Sequence, residues 1–398
     1  MRKILAFTSN RSEYDLLSYL YRYLSKDPAI DFRLLVSGAH LSATFGMTVR
    51  NIESDGIKIL DRIETLLDSD SDSARIKSAS LLLQNAIHSV QRFSPDLIIY
   101  AGDREDVIIA ALIGGYLKIP TAHFFAGDHD QDGLIDNPVR HAASKLSSYK
   151  FVSLDEHRTR LLSIGENAAS VFVIGSCALD KFRYEPLLSR EDLFRKLDPQ
   201  KRCFDHYALL IFHPLMDYEE KTVRDLGNIL EVLKSENIPA VVNVPNIDPG
   251  ARELMKLLNT QRDNKDILLV NNLPRNAFVN IYRHAALQIG NSSSGILEAA
   301  SVPVPAINVG ERMLGRKTQK NVVFTDSSLD GIRKAISTVI SQDFHDLYIK
   351  GIQNIYGDGE SSRRAYEILT SLDLSNFAEF RKEDPILLYG SKPRGVHE

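Results

Sequence analysis

Short, nearly continuous apolar runs alternate along the chain with stretches whose apolar positions recur every three or four residues. In the first half the runs are "KILAF", "DFRLLVSG", "DLIIYAG", "TAHFF", "YKFVSL" and "VFVIG". In the second half they are "YALLIFH", "AVVNVPN", "DILLVNN", "LQIGN", "VPAINVG" and "NVVFT". Runs of this kind predict parallel strands buried on both faces beneath helices. Between the first two, Tyr14, Leu17, Leu20, Tyr21 and Leu24 fall at helical spacing and predict the buried stripe of a helix. The stretch 181–205 is charged and lacks strand character, so it reads as the connection between two α/β domains. The chain's 398 residues exceed what one ordinary core holds. The predicted division is 1–180, 181–375 and a loose tail over 376–398.

Polar residues fall where the strands end. The first run ends at Asn10-Arg11, the second leads to His40, the third to Asp103-Arg104 and the fourth to Asp128. In the second half the ends are His213, Asn246, Asn271-Asn272, Asn291-Ser292 and Glu311-Arg312. Open parallel sheets bind ligands outside the carboxyl ends of their strands. Two such sheets facing each other would line one cleft with these groups. Polar strand-to-helix loops also arise from backbone exposure alone; the repetition in both halves favours the cleft.

Composition narrows the classes. Apolar residues make up 43% and charged residues 25%, the balance of a soluble globular protein. A net charge of −4 supplies no long-range field for nucleic acid or an anionic membrane. Cys177 and Cys203 have neither zinc nor disulfide-framework spacing, which suits a reducing cytoplasm. The opening "MRKILAF" is too short an apolar run for a signal peptide, and no apolar run reaches the roughly eighteen residues of a membrane span.

Several local patterns carry candidate chemistry. In "IGNSSSGILEAAS" a strand ends at Gly290 and a helix begins at the serines. Ser292, Ser293 and Ser294 with the backbone N–H groups there would cradle phosphate. Gly295 would admit close ligand approach, and Glu298 would accept from ribose hydroxyls. An ordinary serine N-cap has the same spelling. The loop "GERMLGRKTQK" adds Arg312 and Arg316 as phosphate partners, or is simply a solvated basic loop. Neither a P-loop nor a dinucleotide fingerprint is present. "DNPVRHAASKL" predicts a helix from Asn137 with Val139, Ala142, Ala143 and Leu146 buried, leaving Arg140 and His141 off that stripe. Asp128, Asp130, Asp132 and Gly133 spell the start of a calcium loop, but Val139 stands where that loop needs a bidentate glutamate.

Together, "TSNRSEYDLL", "SGAHLSATFG", "AGDRED", "DNPVRHAASKLS", "VFVIGSCALDKF", "FHP", "VPNIDPG" and "IGNSSSGILEA…VPAINVGERMLGR" resemble the hydrolysing UDP-N-acetylglucosamine 2-epimerases, in the order that family shows them, over about 1–330. The resemblance implies a glycosyltransferase-B-like fold, with two Rossmann-like domains facing across a cleft. It implies anti elimination of UDP from UDP-N-acetylglucosamine, then water addition to the glycal, giving N-acetylmannosamine and UDP for sialic-acid-type synthesis. It implies a cytoplasmic homodimer or homotetramer that needs no dinucleotide or essential metal. Carried over by position, Asp103, Asp136, Asp180, His40 and Arg140 surround the reacting sugar. Arg11, Arg104, His213, Ser292, Ser293 and Arg312 hold the diphosphate and uridine, and Asn246 and Glu298 hold sugar or ribose. One position departs. The family places an acidic residue two beyond the histidine of "TAHFF", where this chain has Phe125. Asp128 or Asp130 then takes that role, or the sugar is a more apolar 2,4-diacetamido-6-deoxy one of legionaminic-type pathways, or epimerase chemistry is impaired. A UDP-sugar glycosyltransferase of the same fold and a non-catalytic UDP-sugar binder are the alternatives.

Overall fold

The computed structural model describes residues 1–67, 69, 71–130, 135–198, 202–215, 219–244, 251–271 and 273–374. Asn246, Asp132, Gly133 and the expected tail lie outside them. Strands β1 (Arg2–Thr8), β2 (Ile30–Ser37), β3 (Ile59–Ile63), β4 (Leu97–Ala101), β5 (Thr121–Phe124), β6 (Tyr149–Val152) and β7 (Val171–Val173) form one sheet. Its order is β3-β2-β1-β4-β5-β6-β7. Strands β8 (Ala208–Ile211), β9 (Ala240–Asn243), β10 (Ile267–Val270), β11 (Leu287–Gly290), β12 (Ala306–Val309) and β13 (Val322–Thr325) form a second, ordered β10-β9-β8-β11-β12-β13. Every pairing is parallel. Both sheets are doubly wound, and the strand order reverses between β1 and β4 in one and between β8 and β11 in the other.

The apolar runs produce these strands because both faces are covered. Leu97, Ile98 and Ile99 are fully buried, as are Leu209 and Leu210. The helix Arg11–Lys26 buries Tyr14, Leu17, Leu20, Tyr21 and Leu24. Its start is set by Asn10, whose side chain accepts from the Glu13 N–H at 3.0 Å, an N-cap. The apolar pattern did not announce β3. It is an edge strand, and Asp61 and Arg62 interrupt its run; charge on an edge discourages pairing with another chain.

The chain groups into two compact units. The first holds residues 1–129, 133–180 and those from Gly359 on; the second holds Lys181–Asp358 and the short segment beginning at Asp130. The expected second domain over 181–375 is therefore corrected at its end. The helix Ser361–Ser371 belongs to the first unit because Ala365 and Leu369 are buried in the same core as Tyr14 and Leu17. Arg2 secures its last turn, donating to the carbonyls of Leu369 at 2.6 Å and Leu372 at 2.8 Å. Among the described residues no helix is long and apolar enough to cross a membrane.

Candidate active site

In the first unit the β1 and β4 ends sit side by side at the reversal of strand order, the place where doubly wound sheets present ligand-binding loops. Arg11 opens the helix after β1 and Arg104 is the N-cap residue of the helix Glu105–Leu117 after β4. Between Ala101 and Arg104, Asp103 accepts a hydrogen bond from Arg140 Nη2. Arg140 is only 4% exposed, and its other terminal nitrogen lies 3.2 Å from Asp128. One guanidinium thus holds carboxylates from two loops. His157 Nε2 reaches Asp128 at 3.3 Å. An acid held by an arginine and a histidine is arranged for proton chemistry or anion balance rather than for a calcium ion.

Asp136 begins the helix Asp136–Leu146. Burial pushes its carboxyl above the ordinary range, and Asp103 pushes it further, against Arg104, Arg75 and Arg140. Two carboxyls with opposed environments therefore stand together: Asp103 gripped by Arg140, Asp136 biased toward its protonated form. The helix is rotated from the expected orientation. Its buried residues are Asn137, Arg140, Ala143 and Ser144, while Leu146 is exposed.

His123 on β5 braces the β4 loop. Its Nε2 faces the Gly102 carbonyl at 2.8 Å and its Nδ1 faces Ser144 Oγ at 3.0 Å. Burial pushes it down to about 3, so it is neutral at working pH.

In the second unit the corresponding reversal brings the ends of β8 and β11 together. Asn291 and His213 bond reciprocally: the His213 N–H donates to Asn291 Oδ1 at 2.7 Å, and Asn291 Nδ2 donates to the His213 carbonyl at 2.8 Å. His213 Nε2 lies 3.3 Å from Ser292 Oγ, and Arg312 Nη1 donates to the Asn291 carbonyl at 3.1 Å. Ser292 caps a single turn, Ser293–Leu297. Imidazole, hydroxyls and a guanidinium are thereby gathered at one strand end, a donor set suited to phosphate oxygens. Residues 22–370 match the family described as UDP-N-acetylglucosamine 2-epimerase.

The chain belongs to that family. It is 30% identical over 377 residues to the UDP-N,N'-diacetylbacillosamine 2-epimerase (hydrolyzing) of Legionella pneumophila, covering 94% of this chain and 97% of that one. It is 27% identical over 345 residues to the UDP-N-acetylglucosamine 2-epimerase of Neisseria meningitidis, covering 86% and 88%. The crystal structure of the Methanocaldococcus jannaschii UDP-GlcNAc 2-epimerase in complex with UDP-GlcNAc and UDP superposes with a TM-score of 0.78 at 20% identity, covering 92% of this chain and 99% of that one. The fold is accordingly glycosyltransferase-B-like, built of two Rossmann-like domains, and the protein is an enzyme of the UDP-sugar 2-epimerase class.

Three of the expected site residues have buried structural surroundings in this epimerase. Asp180 is fully buried, and both its oxygens accept from backbone N–H groups, Ser361 at 3.1 Å and Ser362 at 2.7 Å. It caps the returning helix. Asp180→Asn should therefore change turnover per folded molecule by less than about threefold, where loss of a true proton donor costs about a hundredfold or more. Second, His40 is fully buried between Thr8 Oγ1 at 3.1 Å and Thr48 Oγ1 at 2.8 Å. With both ring nitrogens taken by hydroxyls, it positions the β1 and β2 loops. Third, Gly295 serves packing: a Cβ there would lie 2.2 Å from Gln288 Oε1 on β11.

Burial pushes His40 down to about 4, against an unfolded value near 6.5. Between those values the unfolded chain takes a proton that the folded one refuses. The His40 contribution is therefore complete above pH 6.5 and is lost as pH falls toward 4, on the order of 3 kcal/mol in all. Urea midpoints measured from pH 7 to 4 should fall less steeply in His40→Gln than in the parent; parallel curves would remove His40 as the source.

Other residues at the site had no clear sequence signal. His157 and Arg160 come from the helix Asp155–Ser163, and Arg160 donates to the Gly127 carbonyl. Lys181 pairs with Glu298 at 2.5 Å, and Glu298 also accepts from Ser294 Oγ at 2.5 Å. Arg316, expected on phosphate, donates to both oxygens of Asp130 within the second unit. Asp130 is thereby committed, which leaves Asp128 and Asp136 of the candidates in that loop. Glu13, three residues after Asn10, was likewise not singled out. It accepts from the Ser9 N–H at 3.1 Å, and burial beside Asp106 pushes its carboxyl well up.

Proposed function

We propose that the protein is a hydrolysing 2-epimerase that takes UDP-N,N'-diacetylbacillosamine, a 2,4-diacetamido-2,4,6-trideoxy sugar nucleotide. The observation that carries the reaction type is the Asp103–Arg140–Asp128 array beside the raised carboxyl of Asp136. A carboxylate removes the C2 proton, the C2–H electron pair becomes the C1=C2 bond, and the C1–O bond breaks with its electrons leaving on UDP. His213, Ser292, Ser293 and Arg312 offset the charge that develops on the diphosphate. Water then adds hydroxyl at C1 as its other proton passes to a carboxylate, and a carboxylic acid delivers a proton to the opposite face of C2. Asp103 and Asp136 supply the two proton transfers at C2, with Arg140 holding the first in place. Glu298 contacts ribose or sugar hydroxyls.

Two features favour the diacetamido sugar. The Legionella relative of that name and a Campylobacter jejuni relative named for GDP/UDP-N,N'-diacetylbacillosamine are each 30% identical, above the 27% of the Neisseria UDP-N-acetylglucosamine enzyme. Phe125 also puts a half-buried aromatic ring at the β5 end, compatible with a C6 methyl group but with no proton to give. UDP-N-acetylglucosamine is the second reading, supported by the family match.

The test is UDP release from both sugar nucleotides in deuterium oxide. Faster release from the diacetamido nucleotide, with deuterium at C2 of the freed sugar, supports the proposal. Faster release from UDP-N-acetylglucosamine overturns the substrate. Release without deuterium at C2 points to a transferase or a simple hydrolase, and inactivity on both overturns the enzyme reading.

A further inference from the structure

In the second unit the Glu298 carboxylate is held on both of its oxygens. Glu298 follows the single turn Ser293–Leu297, which Ser292 caps. Its side chain folds back along that turn, and Oε2 accepts from Ser294 Oγ at 2.5 Å. The carboxylate is thereby drawn toward the end of β11, where Ser292 Oγ lies 3.3 Å from His213 Nε2. In a nucleotide the ribose adjoins the phosphates. A carboxylate beside a phosphate-binding serine turn therefore lies where ribose hydroxyls fall.

The second oxygen is held by Lys181, a residue outside the roles above. Lys181 Nζ lies 2.5 Å from Glu298 Oε1, and the two side chains are only 12% and 10% exposed. Water and salt screen such a pair far less than an ion pair on the surface. Aromatic rings fix the ammonium in turn. Lys181 Nζ lies 4.6 Å from the centre of the Phe278 ring and 5.2 Å from that of Phe182, both within cation–π range. Tyr282 meets these two rings edge to face, with centroids 5.9 and 5.8 Å away. Its hydroxyl donates to the Ser294 carbonyl at 3.1 Å. Ammonium, rings and serine turn thus form one connected set around the carboxylate. A carboxylate offers about four lone-pair sites. Lys181 and Ser294 take one on each oxygen and leave room on each for another donor. Two oxygens held in this way match the two adjacent hydroxyls of a ribose. A carboxylate free to rotate would gain less, because binding would first have to order it.

We propose that Lys181 is a positioning residue for ribose recognition, holding Glu298 so that it accepts from the 2′- and 3′-hydroxyls of the bound uridine nucleotide. Lys181 itself touches neither sugar nor phosphate in this role. It acts through Glu298, and discrimination between UDP and 2′-deoxy-UDP depends on it. The inference rests on the proposed contact of Glu298, assigned here to the ribose, and is independent of which sugar the substrate carries.

Calorimetric binding of UDP and 2′-deoxy-UDP to the full-length protein tests this without turnover. The parent should prefer UDP by about tenfold or more, as expected for one hydrogen bond to a charged group. Lys181→Met keeps an unbranched apolar stem among the rings and removes the ammonium. It should weaken UDP more than 2′-deoxy-UDP and bring the preference down to about threefold or less. Glu298→Gln should remove the preference by itself, and adding Lys181→Met to it should change the ratio no further. A lysine that only supports the fold would weaken both nucleotides alike. A preference preserved in Lys181→Met while Glu298→Gln abolishes it therefore overturns the role of Lys181 and leaves the ribose contact standing. A parent without preference, or a Glu298→Gln protein that keeps it, overturns the ribose contact, and the role of Lys181 falls with it. Lys181→Leu, which also removes the charge, replaces Lys181→Met if that variant does not fold.

Discussion

Asp103→Asn is expected to lower turnover by about a thousandfold while UDP affinity stays within about threefold. Asparagine keeps the shape and one acceptor for Arg140 but cannot take a proton. Arg140 keeps Asp128 at 3.2 Å as a second partner, so the loops on either side retain their anchor. The proposed diphosphate donors of the second unit, His213, Ser292 and Arg312, bond to one another's loops. Steady-state UDP release and calorimetric UDP binding separate the outcomes. Near-normal turnover removes Asp103 from the proton-transfer list. Parallel losses of turnover and UDP affinity make it an anchor for Arg140 instead. Deuterium exchange at C2 gives a third view, since it reports the first proton transfer even when later steps are slow.

The strands and the site differed in how openly the sequence displayed them, and for physical reasons. A strand buried on both faces needs apolar side chains throughout, so the inner strands stand out as runs. β3 does not, because an edge strand tolerates Asp61 and Arg62. The strand-end places of Asp103, His213 and Ser292 were legible because the apolar runs before them mark the strands, and the family resemblance covers the same positions. The helix Asp136–Leu146 misled for a related reason. Its apolar residues suggested a buried stripe through Val139 and Leu146, yet Arg140 and Ser144 are buried instead. Ion pairs with Asp103 and Asp128, and the Ser144 hydroxyl on His123, replace apolar packing on that face. Asp180 misled in the opposite sense. An acid at a strand-end loop looks like a site residue, but its partners lie some 180 positions away at Ser361 and Ser362. No local pattern can reveal a cap supplied across that separation, and His157 reaches Asp128 from a later helix, also beyond a local pattern.

Gly290→Ala should be the most damaging single methyl in the second domain. Gly290 has φ +143°, a region L side chains rarely adopt, and a Cβ there would lie 2.0 Å from the Ile211 carbonyl oxygen and 2.7 Å from its carbon. Both obstacles are backbone, and Ile211 pairs with Gly290 at the β8–β11 reversal, so neither strand can yield without loss of the ladder. A cost above about 4 kcal/mol is expected. Gly310→Ala is the control: its φ of +84° carries conformational strain, but nothing lies within 4 Å of the added Cβ, and about 1 kcal/mol is expected. The damage at Gly290 should reach function as well as folding, because Asn291 follows it directly and interlocks with His213 and Arg312. Any shift of Gly290 moves the imidazole, the Ser292 cap and the guanidinium together. Urea midpoints and UDP binding should therefore fall together in Gly290→Ala, while in Gly310→Ala the midpoint drops slightly and UDP binding persists. A Gly290→Ala protein with the parent's midpoint would show that β8 and β11 can separate at their carboxyl ends, and the tight strand crossing would no longer explain the glycine.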